Sequence, residues 1–293
     1  MSRIAGVVVL YNPSSAVLEN INSYLKQVDV LYAIDNSESQ DQIIIEDIRR
    51  LKNVVYQWNR GNLGIAKALN MGAVLALEHQ CQYLLMMDQD SIASPNLIDA
   101  FKEYLERDSS EDIGILSPYH VYMNYNRPRE QFKIKNIFLA ITSGTLLNLS
   151  AYRQCGSFMD ELFIDSVDFE YCLRLHVSGY KVIQLNNALL YHRLGVLEPR
   201  KFLWRRVAVY NHPSIRVYYK FRNRLLVAFK YFKAYPIWAM KELMVIGNEL
   251  IKILCFEENK FDKCRMAFLG VLHYSTGQYG KYNCTRKNTS KIY

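Results

Sequence analysis

The chain predicts an α/β fold, a mainly parallel sheet with helices on both faces, followed by a basic helical carboxyl-terminal region. Three observations predict it. Short β-branched apolar runs alternate with segments of helical spacing through the first half. Polar clusters directly follow three of those runs, at the strand ends where such sheets bind ligands. Beyond about residue 200 the composition turns basic and aromatic.

Each element has its own justification. Ile4–Leu10 is a continuous apolar run closed by Asn12-Pro13, as a strand buried on both faces would be. From Ser15 to Gln27, Val17, Leu18, Ile21 and Leu25 recur at helical spacing. Val28–Ile34 is the second strand and ends at Asp35-Asn36-Ser37. A helix over Gln42–Leu51 and a short strand over Asn53–Gln57 follow. After Asn62-Leu63-Gly64, a stripe of Ile65, Ala68, Leu69, Gly72, Leu75 and Ala76 marks a long helix. Tyr83–Met87 is a strand that runs straight into Asp88-Gln89-Asp90. Phe169, Cys172 and Leu173 suit the buried stripe of a later helix, and Leu189-Leu190-Tyr191 ends another strand at His192.

The composition narrows the function classes. Of 293 residues half are hydrophobic, with 13 Gly and 7 Pro, which excludes a disordered or low-complexity chain. The six cysteines contain no C-x-x-C pair, so they read as reduced thiols rather than a zinc cage or a disulfide framework. The first apolar run lacks a small-residue cleavage site and reads as a strand, not a leader. The most apolar late stretch, residues 225–256, is broken by Lys, Glu and Pro, so no spanning helix is expected. A cytoplasmic protein follows from these readings. Residues 1–199 hold 17 Lys and Arg against 23 Asp and Glu, whereas residues 200–293 hold 19 against 5. All of the positive excess lies in the last third, which implies an anionic partner there.

The acidic clusters carry the chemistry. Asp88 and Asp90, one residue apart at a strand end, repel each other unless a cation intervenes, and suit Mg²⁺ or Mn²⁺ with substrate phosphates; a solvated acidic turn has the same spacing. Asp35, with Asn36 and Ser37, is placed either to accept the ring N–H of a pyrimidine base or to form an Asx turn. Asn62-Leu63-Gly64 opens a helix whose free N–H groups suit a nucleotide or a simple cap. Asp165, Asp168 and Glu170 put three acids in six residues, with Asp165 and Asp168 expected on one side of a helical turn. One of them could serve as a general base, or all could form an acidic helix start. Arg174 suits an i,i+4 pair with Glu170, and His192 gains interest as a metal ligand only beside the acidic pair.

In this order the clusters resemble the family 2 inverting glycosyltransferases of GT-A fold, over about residues 4–200. The matching residues are Val9-Leu10-Tyr11-Asn12, Asp35-Asn36-Ser37, the Asn59-x-Gly61-Asn62-x-Gly64 loop with its helix, Asp88-Gln89-Asp90-Ser91, Ser143-Gly144-Thr145, Asp165-x-x-Asp168-x-Glu170-x-Cys172-x-Arg174 and His192-x-x-Gly195. Asp88-Gln89-Asp90-Ser91, Asp168-x-Glu170 and Arg216-x-Tyr218-Tyr219-x-x-Arg222-Asn223 look like the bacterial rhamnosyltransferase branch. The resemblance implies a nucleotide diphospho-sugar donor on Tyr11, Asn12, Asp35, Asn36, Asn62, Gly64 and Asp88. It implies Mg²⁺ or Mn²⁺ on Asp90 and His192, and Asp168 as general base with Asp165 and Glu170 as fallbacks. Val167 stands where the family's Glu-Asp motif has Glu. Ser143, Gly144, Arg174, Arg222 and Asn223 are expected on the acceptor side.

The expected domains are a nucleotide-sugar-binding catalytic domain over residues 1–200 and a basic, aromatic-rich helical region over 201–293 for acceptor or membrane association. The expected activity is transfer of a sugar, rhamnose from dTDP-rhamnose foremost, to a glycan or lipid-linked glycan of a bacterial surface polysaccharide. A UDP-sugar donor, galactofuranose or another hexose, is the alternative within the family. A sugar-phosphate nucleotidylyltransferase would want a Gly-rich basic loop after the first strand, where Tyr11-Asn12-Pro13-Ser14-Ser15 stands instead. A basic membrane adaptor without activity would leave the acids unexplained. The basic third suits the anionic inner face of the cytoplasmic membrane, peripherally and without insertion of a span. No nucleic-acid partner is expected, because no module of that kind is present.

Overall fold

The computed structural model describes residues 2–108, 110–122, 133–192, 198–202, 205–209 and 211–283; the side chains of Tyr122, His192 and residues 198–209 also fall outside the description. Gly195 of the His192-x-x-Gly195 match lies outside it as well.

The first half alternates as its apolar pattern requires: β1 (Ile4–Leu10), α1 (Ala16–Leu25), β2 (Val30–Asp35), α2 (Gln42–Arg50), β3 (Val54–Trp58), α3 (Ile65–Glu78) and β4 (Tyr83–Asp88). Next come β5 (Ser91–Ala93), α4 (Leu97–Arg107), β6 (Ile113–Tyr122), β7 (Ile134–Asn136), β8 (Thr145–Asn148) and α5 (Leu149–Cys155). A 3-10 turn at Asp160–Leu162 precedes α6 (Val167–Val177) and β9 (Lys181–His192). The hairpin β10 (Glu198–Phe202) and β11 (Arg205–Val209) leads to α7 (Ser214–Lys230), α8 (Pro236–Phe256) and α9 (Lys260–Ser275).

The main sheet runs β3-β2-β1-β4-β8-β6-β9-β5, with β7 also on β9. Its first four strands are parallel, and antiparallel β8, β5 and β7 make the rest mixed. Two apolar layers cover the two faces: one packs α3, α5 and α6 on the sheet, the other α1, α2 and α4. The small-residue stripe of α3 lets that helix approach closely. A Cβ added at Gly72 would stand 2.5 Å from the Val7 side chain of β1. α2 is started by Asp41, whose carboxylate accepts from the N–H groups of Ile43 and Ile44.

Two readings around α6 are corrected here. Asp165 and Asp168 do not share a helical turn, because α6 starts only at Val167 and Asp165 precedes it with φ +61°. The buried stripe of α6 comprises Val167, Glu170, Tyr171, Cys172, Leu173 and Leu175, while Phe169 is only partly covered. The residue 200 boundary falls inside the β10–β11 hairpin, and Val227 and Tyr231 beyond it belong to the same apolar layer as β1 and α3. α7 is thus continuous with the core.

Candidate active site

Register brings the acidic clusters together. β1 is flanked by β2 and β4, with Leu10 level with Asp35 on one side and Val9 level with Asp88 on the other. The loops after β1, β2 and β4 therefore share one edge of the sheet.

On the β2 side Asp35 is fully buried. Its Oδ1 accepts from the Ser37 N–H at 2.8 Å and the Ser37 hydroxyl at 2.6 Å, and its Oδ2 accepts from the Tyr56 hydroxyl. Burial and that bond push the Tyr56 hydroxyl well above its ordinary value. Asp35 thus forms the Asx turn, beside a cleft of about 330 Å³ lined by Asn12, Pro13, Ser39, Gln40, Asp41 and Ile45. The Asn12 N–H, at φ +45°, donates to Ser37 Oγ at 2.7 Å. Asn36 is buried and its amide donates to the Gly64 carbonyl at 3.1 Å, while Asn62 Oδ1 accepts from the Gly64 N–H at 2.9 Å. Gly64 has φ +90°, and a Cβ there would lie 2.6 Å from the Phe163 ring and carbonyl. Only glycine fits between the start of α3 and the loop before α6.

On the β4 side, Gln89 ties the acidic turn to the first loop. It accepts from the Tyr11 N–H at 2.8 Å and donates to the Tyr11 carbonyl at 3.1 Å. Tyr11 itself is exposed. Asp88 is partly exposed and Asp90 exposed. Ser143 and Gly144 lie beneath this turn: Ser143 Oγ accepts from the Asp88 N–H at 3.2 Å and donates to Ser91 Oγ at 2.9 Å, and the Gly144 N–H donates to the Met86 carbonyl at 2.7 Å. His192 is paired in register with Ser91, which puts its backbone beside the acidic turn; its side chain lies outside the described residues.

Asp168 stands in the first turn of α6, partly exposed, where its Oδ1 accepts the Phe169 N–H at 2.9 Å. It lines a hollow of about 10 Å³ with Met86, Thr142, Thr145, Phe158 and Tyr171. Burial pushes its carboxyl up to about 7, and the negative charges of Asp165 and Asp88 push the same way. Asp165 accepts from Arg216 at 3.2 Å through Oδ1, whereas its Oδ2 is buried with no hydrogen-bond partner among the described residues. Asp88 at the end of β4 and the Asp165–Asp168 pair before and in α6 thus bring carboxylates from two parts of the chain into electrostatic reach. Among the described residues no three His, Cys, Asp or Glu side chains form a ready-made metal cage. A set of few carboxylates, an orphaned acceptor and mutual repulsion fits a cation that a substrate's phosphates help to hold.

The remaining candidates are placed inside the fold. Glu170 is fully buried and accepts from Arg174, from Lys230 at 2.8 Å and from the Tyr231 hydroxyl at 2.8 Å. Burial alone would raise its carboxyl, but Arg174 and Lys230 outweigh that and hold it below the usual range. As a proton acceptor it is spent. Arg174 also donates to the carbonyls of Cys155 and Ser157. Arg222 and Asn223 are buried completely. Arg222 donates to the carbonyls of Gly280 at 2.7 Å, Glu161 at 3.0 Å and Leu162 at 3.2 Å, and lies against the rings of Tyr218 and Tyr219. The Asn223 amide reaches the carbonyls of Leu162 at 2.8 Å, Ile164 at 2.6 Å and Asp165 at 3.1 Å. Ser143, Arg174, Arg222 and Asn223, expected on the acceptor side, thus bond to neighbouring segments of the fold.

The clasp from α7 answers a local strain. Phe163, Asp165 and Ser166 have φ of +65°, +61° and +65°, unusual for residues with side chains. The Ile65 N–H donates to the Phe163 carbonyl at 2.7 Å, and Phe163 stacks on Tyr219 with ring centroids 5.1 Å apart. Gln89, Tyr56 and Phe163 were not singled out by the sequence, since nothing in their spacing distinguishes a tether from a core or loop residue.

A cavity larger than these, about 890 Å³, opens at the other end of the strands, near Cys81, Asp112 and Tyr180. It shares no residue with the acidic clusters.

Comparison with known proteins agrees with this geometry. The glycosyl transferase family 2 model matches residues 7–163. The dTDP-rhamnosyl transferase RfbF of Shigella flexneri is 26% identical over 306 residues, covering 96% of this chain and 99% of that protein. Among solved structures, residues 1–349 of S. aureus TarS superpose with a TM-score of 0.62 at 13% identity, over 93% of this chain and 80% of that one. GalNAc-T7 with UDP, GalNAc and Mn²⁺ gives 0.56 at 14% identity, over 66% of this chain and 44% of that one. The matched segment spans the strands that carry Asp35, Asp88 and Asp90 and the Gly64 loop, and on that basis the chain belongs to glycosyltransferase family 2.

Proposed function

We propose that the chain is an inverting glycosyltransferase that moves rhamnose from dTDP-rhamnose to a hydroxyl of a lipid-linked bacterial glycan. The observation that carries the reaction is Asp168: a carboxylate at a helix start, raised to about 7, within electrostatic reach of the strand-end Asp88. A base poised there can take the acceptor hydroxyl's proton as the oxygen attacks the anomeric carbon from the face opposite the departing nucleoside diphosphate. Asp165 assists by its charge. The turns of Asp35 and Gly64 flank the donor's nucleoside, with Tyr11, Asn12, Asn36 and Asn62 around it, and Asp88 lies toward ribose or sugar. Asp90 and His192 would hold Mg²⁺ or Mn²⁺, which supplies Lewis-acid stabilisation to the diphosphate as it leaves. Rhamnose as the donor sugar is supported by the full-length similarity to RfbF.

A UDP-sugar is the second reading, favoured by TarS structures that contain UDP and UDP-GlcNAc. Thermal shift with dTDP-, UDP- and GDP-sugars, each with and without Mn²⁺, decides between them. Stabilisation by dTDP-rhamnose above the UDP-sugars supports the first reading, and a preference for UDP-hexoses replaces it with the second. Stabilisation by none of the pyrimidine nucleotides removes both.

A further inference from the structure

The acids of α8 point one way and its apolar side chains the other. Within α8 the only carboxylates are Glu242 and Glu249. Glu242 accepts from Arg224 at 3.0 Å and Glu249 from Lys220 at 3.0 Å, so both are drawn inward onto α7. The opposite face exposes Ile237, Met240, Met244, Ile251 and Leu254, at 72, 56, 60, 58 and 52%. Their spacing of three, four and seven residues makes one stripe, about 26 Å long from Ile237 to Leu254 at the rise of an α-helix. Lys241 is exposed and Lys252 partly so, both along one flank of the stripe. A soluble helix turns such a face to the core, yet only Ala239 and Ile253 of α8 are buried.

We propose that this stripe is the surface by which the protein docks on an anionic lipid bilayer, lying in the interface without crossing it. The inference deepens the reading of a lipid-linked acceptor and rests on it. Three features favour lipid over a second copy of the chain. No helix is long and apolar enough to cross a membrane among the described residues, so α8 is an interfacial element if it meets lipid. The face carries lysines and no acid, which complements anionic headgroups. An isologous dimer through the same face would set that positive flank, in a region of net charge +14 from 19 basic and 5 acidic residues, against its own copy.

Flotation of the full-length chain tests this, with vesicles of phosphatidylethanolamine and phosphatidylglycerol against vesicles of phosphatidylcholine. Binding to the anionic vesicles should exceed binding to the neutral ones by on the order of tenfold, and should weaken with salt. Met244→Glu with Ile251→Glu should abolish it while circular dichroism and the thermal shift given by the nucleotide sugar stay unchanged. Lys241→Glu with Lys252→Glu should reduce the preference for anionic vesicles. Three results would overturn the proposal: no flotation of the wild type, flotation untouched by the stripe variant, or a dimer in sedimentation that the same variant dissociates. The nucleotide-sugar shift is read separately, so failure of docking and failure of the transferase reading are distinguishable.

Discussion

At the scale of single residues, Asp168 has the most to lose. Asp168→Asn should lower transfer by about 10²- to 10⁴-fold, the range of general-base contributions, and leave the donor's dissociation constant nearly unchanged in calorimetry. Turnover within tenfold of wild type would move the base elsewhere. The raised carboxyl also has a signed effect on stability. Its ordinary value is 3.8 and its folded value about 7, so between those pH values the folded chain keeps a proton that the unfolded chain releases. Stability from this group falls as pH rises through that window. Asp168→Asn should therefore raise the melting temperature at pH 8 and have little effect near pH 4, and an equal shift at both would show that the carboxyl is not raised. Glu170 behaves oppositely. Glu170→Ala would strand Arg174 and Lys230 beside a buried void and cost about 3–5 kcal/mol in denaturant melts. An active, fully stable variant would mean that the buried cluster contributes little.

Elements account for what single residues cannot. The strained segment before α6 is held from three sides: by the start of α3, by the Tyr219 ring and by the carbonyl-seeking side chains of Arg222 and Asn223. Asn223→Ala takes the side-chain donor from the carbonyls of Ile164 and Asp165, while Leu162 keeps Arg222, a loss of about 1–3 kcal/mol. Because the segment leads into Asp168, kcat should fall more than donor KM rises. A change in stability alone, with kcat per folded molecule intact, would reduce the clasp to scaffolding. Local sequence signals found β1, α3 and β4 nearly to the residue, since apolar period and strand-end polar groups are both short-range properties. They could not find the clasp. Arg222 and Asn223 were expected on the acceptor side, and only the fold brings Glu161 and Leu162, some 60 positions earlier, within their reach. The same limit made Asp165 look helical, because a left-handed backbone in a non-glycine residue is imposed by tertiary contacts.

At the scale of the whole molecule, charge is divided by role. The amino-terminal part is net acidic, and the charges of Asp165 and Asp88 add to the burial that raises the Asp168 carboxyl, so a cation should be needed before a diphosphate is welcome. Removing divalent ions with a chelator should abolish the thermal shift given by the nucleotide sugar, and adding Mn²⁺ should restore it. A shift that persists in chelator would leave the acids to act without a cation. The sequence showed acids at the ends of β2 and β4, and the parallel register puts them on either side of β1. Side chains that connect the loops, such as Gln89 to Tyr11, required coordinates.

Gly280 gives the clasp a consequence in time. Its N–H donates to the Glu161 carbonyl and its own carbonyl accepts from Arg222, so the segment that leads into Asp168 is tied to a residue more than a hundred positions later. During vectorial synthesis the strands that carry Asp35 and Asp88 emerge first, but the segment before α6 gains its last ties only once Gly280 has left the ribosome.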